Sequence, residues 1–85
     1  GAAASIHLIA DGRAEAIEFV ADKNTKNLGV PLKQLNLKKN VLVACITRNG
    51  EPHIPNGESM IQADDTVVIV TVDETKLMQL NDIFD

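Results

Sequence analysis

Arg48 and Asn49, followed closely by His53, Ile54 and Pro55, are the residues of this chain whose types and spacing could act together on a ligand. Arg48 ends an apolar run and stands just before the turn Asn49-Gly50, with the other three on the returning side. A hairpin here gathers a guanidinium, an amide, an imidazole and two apolar surfaces. Arginine can grip a phosphate or carboxylate through two parallel hydrogen bonds. Asn49 and His53 can read polar edges, and Ile54 and Pro55 can pack on a flat ring. This composition suits a small-ligand cleft, including one shared across a dimer axis. It equally suits an arginine paired with a surface carboxylate beside an ordinary turn.

Other reactive types are isolated. Cys45 is the only thiol and lies inside an apolar run, where cysteine behaves as a small hydrophobe. His7 and His53 have no ligand-like spacing. Adjacent Asp64 and Asp65 would point to opposite faces of a strand, and no third oxygen ligand is spaced for calcium. A turn before the following strand explains them better. The glycines at 12, 29, 50 and 57 stand singly, so there is no glycine-rich phosphate loop. A nucleophile with its base and anion site is missing, and the expected protein is not an enzyme, with no catalytic and no metal-binding residues.

The elements that would position the Arg48 group follow from side-chain pattern. Residues 41–47 and 66–72 are nearly continuous β-branched runs, as in strands covered on both faces. Residues 16–21 also favour a strand. Residues 5–9 could add a short one, with His7 on one face. Asn-Gly at 49–50 is a strong hairpin signal. Pro52 and Pro55 confine the returning strand to a short edge. Pro31 with Leu32 and Leu35 predicts a short helix, and hence a β-α-β crossover between parallel strands. Leu77, Leu80 and Phe84, supported by Ile83, predict a C-terminal helix, capped by Asp73 with Glu74 at its positive end. The expected fold is α+β: a small mixed β-sheet with a β-α-β crossover, a β-hairpin and a C-terminal helix. Residues 1–10 read as a linker or remnant able to hold a short strand, and residues 11–85 as the domain.

Composition bounds the partners. With 85 residues the chain forms one small domain that buries about 60% of its unfolded surface, so pairing into a dimer would help it. Phe19 and Phe84 are its only aromatic residues, and the net charge is −4. Without stacking platforms or a positive groove, nucleic acid is a poor partner. The charge is uneven: residues 1–50 carry seven Lys/Arg and four Asp/Glu, net +3, and residues 51–85 one Lys and eight Asp/Glu, net −7. No apolar run approaches the roughly 20 residues of a membrane helix. The small, uncharged start lacks the basic flank of a signal peptide. A single cysteine excludes an internal disulfide and fits a reducing cytoplasm.

Taken in order, several segments carry a family resemblance. Residues 11–18, Asp-Gly-Arg-Ala-Glu-Ala-Ile-Glu, are similar to the opening segment of TrkA-type proteins. Residues 28–35, Leu-Gly-Val-Pro-Leu-Lys-Gln-Leu, resemble that family's G-x-x-L-x-x-L crossover helix. The run 41–48 with its final arginine, the Ile54-Pro55 pair and the stretch 61–70 follow, then Leu80 to Phe84. Together, over residues 5–84, the chain resembles the C-terminal domain of TrkA-type proteins, the RCK-C module. Asp64 stands where the family commonly has glycine, and Lys38-Lys39-Asn40 replaces a Pro-x-Gly turn. Arg48-Asn49-Gly50 matches the family's Arg-Gly turn with one change.

The resemblance implies a cytoplasmic regulatory domain of a Trk-type potassium uptake system, peripheral to the inner face of the membrane. It implies a homodimer that meets a membrane potassium transporter subunit through the full-length protein. Related domains bind cyclic di-AMP at a dimer cleft, which makes Arg48, Asn49, His53, Ile54 and Pro55 the candidate ligand contacts. Other domains of this type bind no known ligand, and the module also occurs in other ion transporters and exchangers. NAD or ATP is expected only in a preceding Rossmann domain, so no cofactor is expected in these residues.

Overall fold

The computed structural model describes residues 2–72 and 75–85. Among these residues five strands are formed: β1 (Ala3–Ile9), β2 (Ala14–Val20), β3 (Val41–Arg48), β4 (Glu51–His53) and β5 (Thr66–Val72). They make one sheet in the order β1-β2-β5-β3-β4. Every pairing is antiparallel. The expected mixed sheet is therefore corrected to an antiparallel one. β2 and β3 do run the same way, but β5 inserts between them and hydrogen-bonds to both. The crossover thus joins strands that do not pair with each other.

Among the described residues helix is almost absent. The expected crossover helix is a single 3-10 turn, Leu32–Gln34. Leu35 behind it is extended, and Leu37 forms a bridge to Phe84 that draws the chain out of any helix. The expected C-terminal helix is likewise a short 3-10 turn, Leu80–Ile83. The expected cap Asp73, with Glu74, lies outside the described residues. Gln79 and Asp82 supply a capping box, with the Asp82 carboxylate accepting the Gln79 N–H at 3.0 Å. Ahead of that turn, Gln79 forms a bridge to Ala2. Periodic leucines at three-residue spacing serve a 3-10 turn as well as an α-helix, because side chains at i and i+3 eclipse there.

One sheet face carries the core. Ile17, Phe19, Val43, Ile46, Val67 and Ile69 point inward and are buried. Irregular segments form the second layer, contributing Ala21, Ile61, Leu77, Leu80 and Ile83. Among described residues, eleven buried side chains make this core, and Phe19 is its only aromatic member. The opposite face is less covered: Leu42 is 60% exposed, and Val68, Val70 and Cys45 are half-buried.

Turns use left-handed backbone where the sequence permits it. Asn49 (φ 52°) and Gly50 (φ 79°) close the β3–β4 hairpin, where both turn positions take positive φ. Asn40 (φ 66°) and Asp64 (φ 72°) also hold left-handed backbone, a region that both residue types tolerate better than most. The β1–β2 connection is tighter still, with Ala10, Asp11 and Gly12 all at positive φ.

The Arg48 hairpin and its candidate functional site

Arg48 is the last residue of β3, paired across the hairpin with Glu51. Its guanidinium turns away from that partner. Nε donates to Asp65 Oδ1 at 2.9 Å, and Nη2 donates to Asp65 Oδ2 at 2.8 Å. Nη2 also donates to the Met60 carbonyl at 2.9 Å. Three hydrogen bonds thus commit an arginine that offers five donors.

Asp65 is the hidden member of the pair, its side chain 1% exposed against 41% for Arg48. Its Oδ2 also accepts the Gln62 N–H at 2.8 Å. Burial alone would raise the Asp65 carboxyl. Hydrogen bonds from Arg48 and the Gln62 amide, with the charges of Arg48 and His53, outweigh it and hold the group below its ordinary 3.8. The hydrogen bonds that Arg48 donates to Asp65 raise its guanidinium above its usual range, so it stays charged.

The backbone explains why Asp65 reaches this place. Left-handed Asp64 turns the chain, its N–H donating to the Ala21 carbonyl at 2.8 Å. Ala21 N–H returns a bond to the Asp65 carbonyl at 2.8 Å. The two aspartates thus clamp the end of β2 and aim one carboxylate at Arg48. The sequence pattern placed them in a turn before the strand, and there they are. It gave no sign that one is buried. The only signal was an arginine ending β3 and an aspartate opening the strand that pairs with it.

Around this anchor the five candidate residues divide. Arg48, Asn49 and His53, with Glu51 and Pro52, line a shallow concavity of about 360 Å³. Pro55 belongs to a separate, more apolar groove of about 330 Å³, with Leu32, Leu37, Val41 and Leu42 among its walls and Lys33 on it. Ile54 projects between these regions in the chain and is 80% exposed. Glu51 in the first concavity and Leu42 in the second escaped the sequence reading. Both become visible only once β3 and β4 are paired. Lys33 forms an exposed ion pair with Glu58 at 2.5 Å that nearest-neighbour patterning could not reveal.

The remaining reactive residues stay apart. His7 lies on β1 and His53 on β4, the two opposite edges of the sheet. Cys45 is half-buried and faces Val68 across β3 and β5. Among the described residues no three His, Cys, Asp or Glu side chains come together as a metal site would need. Among them also, no helix is long and apolar enough to cross a membrane.

The model of the TrkA-C domain family matches residues 16–84. A Trk system potassium uptake protein TrkA of Azorhizobium caulinodans is 33% identical over 64 residues, 75% of this chain and 14% of that protein. A TrkA homolog of Archaeoglobus fulgidus is 38% identical over 63 residues, 74% of this chain and 14% of that protein. In Methanosarcina mazei, TrkA homolog 1 is 33% identical over 60 residues, 71% of this chain and 13% of that protein. The chain therefore matches only a small part of the length of these curated relatives. The match covers most of β2, all of β3, β4 and β5, the Arg48–Asp65 anchor and the C-terminal turn, and on it the chain belongs to the TrkA-C domain family.

Proposed function

We propose that this chain is a non-enzymatic regulatory domain of a Trk-type potassium uptake system. It acts in the cytoplasm at the inner face of the membrane, pairs with a second copy, and helps gate a membrane cation transporter. The carrying observation is the family match over residues 16–84, with relatives that are named potassium uptake proteins. A small anionic ligand, with cyclic di-AMP as the candidate, sits against Arg48, Asn49, His53, Ile54 and Pro55. No cofactor belongs to this domain. NAD or ATP would bind a preceding nucleotide-binding domain of the full-length protein.

Two measurements test this. Deleting the domain from the full-length protein lowers potassium-dependent growth of a strain lacking other uptake systems; unchanged growth and unchanged uptake of a potassium tracer would reject the regulatory role. Calorimetry with cyclic di-AMP gives heat on the intact chain and a weaker response on Asn49→Ala and His53→Ala. Those variants are preferable to Arg48→Ala, which removes a structural anchor along with any ligand contact. No heat at high micromolar ligand would remove that ligand.

A second reading is a structural assembly domain that transmits motion without a ligand, in this system or another ion transporter. The engagement of Arg48 by Asp65 favours it, because a ligand anion must then share or displace that arginine.

A further inference from the structure

Seven asparagines lie in the chain, and Asn49 and Asn56 are the two followed by glycine. The following residue matters because its backbone nitrogen can attack the asparagine side-chain carbon. A Cβ on that residue obstructs the approach, and glycine has none and rotates freely. Both asparagines and both glycines are exposed, so neither dipeptide nor solvent access separates the two pairs. What surrounds them does.

Asn56 is tied down. Its Oδ1 accepts the Glu58 N–H at 2.8 Å, its N–H donates to Ser59 Oγ at 2.9 Å, and its carbonyl accepts the Ser59 N–H at 3.0 Å. The Gly57 carbonyl accepts the Lys33 N–H at 3.0 Å, and a Cβ built on Gly57 would stand 3.2 Å from Lys33 Cβ. The Asn56 amide is thus fixed in one rotamer, on a segment bound to the crossover. Asn49 has none of this. Among the described residues no hydrogen bond holds its side-chain amide or the Gly50 N–H, and a Cβ at Gly50 would meet nothing within 4 Å. β4 behind it has three residues, all exposed, and Pro52 donates nothing to the ladder. So short a ladder opens locally at little cost.

We propose that Asn49 is a site of spontaneous deamidation, and that Asn56 in the same dipeptide is protected by its surroundings. The Gly50 nitrogen bonds to Asn49 Cγ, the Cγ–Nδ2 bond breaks, and the nitrogen's proton leaves with the amide group as ammonia. Water then opens the succinimide ring at either carbonyl carbon. One opening gives aspartate and the other isoaspartate, with no oxidant or reductant taking part. Either product places a new carboxylate beside Arg48 in the concavity that Glu51 also lines. Isoaspartate also routes the main chain through the side chain. That adds one atom to a two-residue turn whose length sets the β3–β4 register. An aged copy thus differs from a new one in charge and in backbone at the hairpin tip. This chemistry needs no ligand, no second copy and no transporter.

Storage of the intact chain in warm neutral buffer, followed by peptide mapping with mass spectrometry, tests it. Loss of ammonia and then gain of water are read at each asparagine. In the folded chain Asn49 is expected to convert at least about tenfold faster than Asn56, a barrier difference of about 1.4 kcal/mol. In concentrated urea the two are expected to convert at similar rates, because the bonds that protect Asn56 are gone. On anion exchange the aged chain yields a more acidic species that Asn49→Ala does not form. Equal rates at the two positions in the folded chain, faster conversion at Asn56, a difference that persists in urea, or no conversion at Asn49 while the urea-treated chain converts would each overturn the proposal.

Discussion

Arg48 and Asp65 are joined by two parallel hydrogen bonds of 2.9 and 2.8 Å, one end of the pair half-exposed and the other buried. Arg48 ends β3 and Asp65 directly precedes β5, so the pair fixes where the two paired strands meet. It also fixes the hairpin whose rim carries Asn49 and His53. The arginine that looks most available for a ligand is thus first a part of the fold.

Removing the carboxylate leaves Arg48 without its partner and the Gln62 N–H without its acceptor. Asp65→Ala is expected to cost about 1–3 kcal/mol, because the Gln62 N–H loses its acceptor while the half-exposed Arg48 can turn to water. Asp65→Asn keeps part of the hydrogen bonding and costs about 1–2 kcal/mol. Urea unfolding with unchanged slope measures both. A loss below the error of the extrapolation would mean that the pair is not a structural anchor. Arg48→Ala moves stability in the same direction.

The same carboxylate gives the protein an acid limit. Its folded value is lower than its ordinary 3.8, so the folded state binds the proton less readily than the unfolded state. Its contribution is therefore present above the unfolded value of about 3.9 and lost as pH falls through the lower, folded value. The melting temperature is expected to decline below about pH 4, and less steeply for Asp65→Asn. Identical slopes in the two proteins would place the acid sensitivity elsewhere.

Backbone strain offers the opposite change. Ala10 holds φ at 51° in an exposed turn, with no side-chain interaction of an Asn or Asp to favour it. Ala10→Gly is expected to stabilise by about 1 kcal/mol. Asp64→Gly should give about half as much, since aspartate tolerates this region better. For a domain of this size 1 kcal/mol appears as roughly 4–8 °C in Tm, readable by calorimetry.

The C-terminal turn is core despite its position. Leu80 and Ile83 are fully buried, while Met78 beside them is 79% exposed. Leu80→Ala and Ile83→Ala should each cost about 2–4 kcal/mol, and Met78→Ala less than about 0.5. Equal, small effects at all three positions in chemical unfolding would show that the segment is not needed for the core.

Local chemistry made much of this readable. The β-branched runs of β3 and β5 could hardly be anything but central strands, and Asn49-Gly50 fixed the hairpin between β3 and β4. Asn40 and Asp64 sat where left-handed backbone was required. What could not be read was pairing. Nothing within residues 66–72 says that they insert between β2 and β3, because strand order depends on contacts distant in sequence. The helices failed for a related reason. Leu32 with Leu35, and Leu80 with Ile83, satisfy one turn of helix, but the bridges of Leu37 to Phe84 and Gln79 to Ala2 hold the adjoining chain extended. In the candidate site, the arginine and the hairpin were legible, whereas the buried carboxylate that claims the arginine was not. Whether an aspartate in a turn is buried is decided by the strand it precedes, not by its neighbours in sequence.

β5 holds the middle of the sheet although it is the last of the described strands in sequence order. During synthesis β2 and β3 emerge first, yet neither can pair with the strand that joins them until residues 66–72 have been made. Only the β1–β2 and β3–β4 hairpins can form beforehand, and isolated two-stranded hairpins are marginal in water. The domain therefore completes its fold late and in one step, after long-range contacts form. A chain stopped before residue 66 would leave two detached hairpins with exposed aliphatic faces, which makes the emergence of residues 66–72 the point at which a nascent copy becomes competent or is cleared.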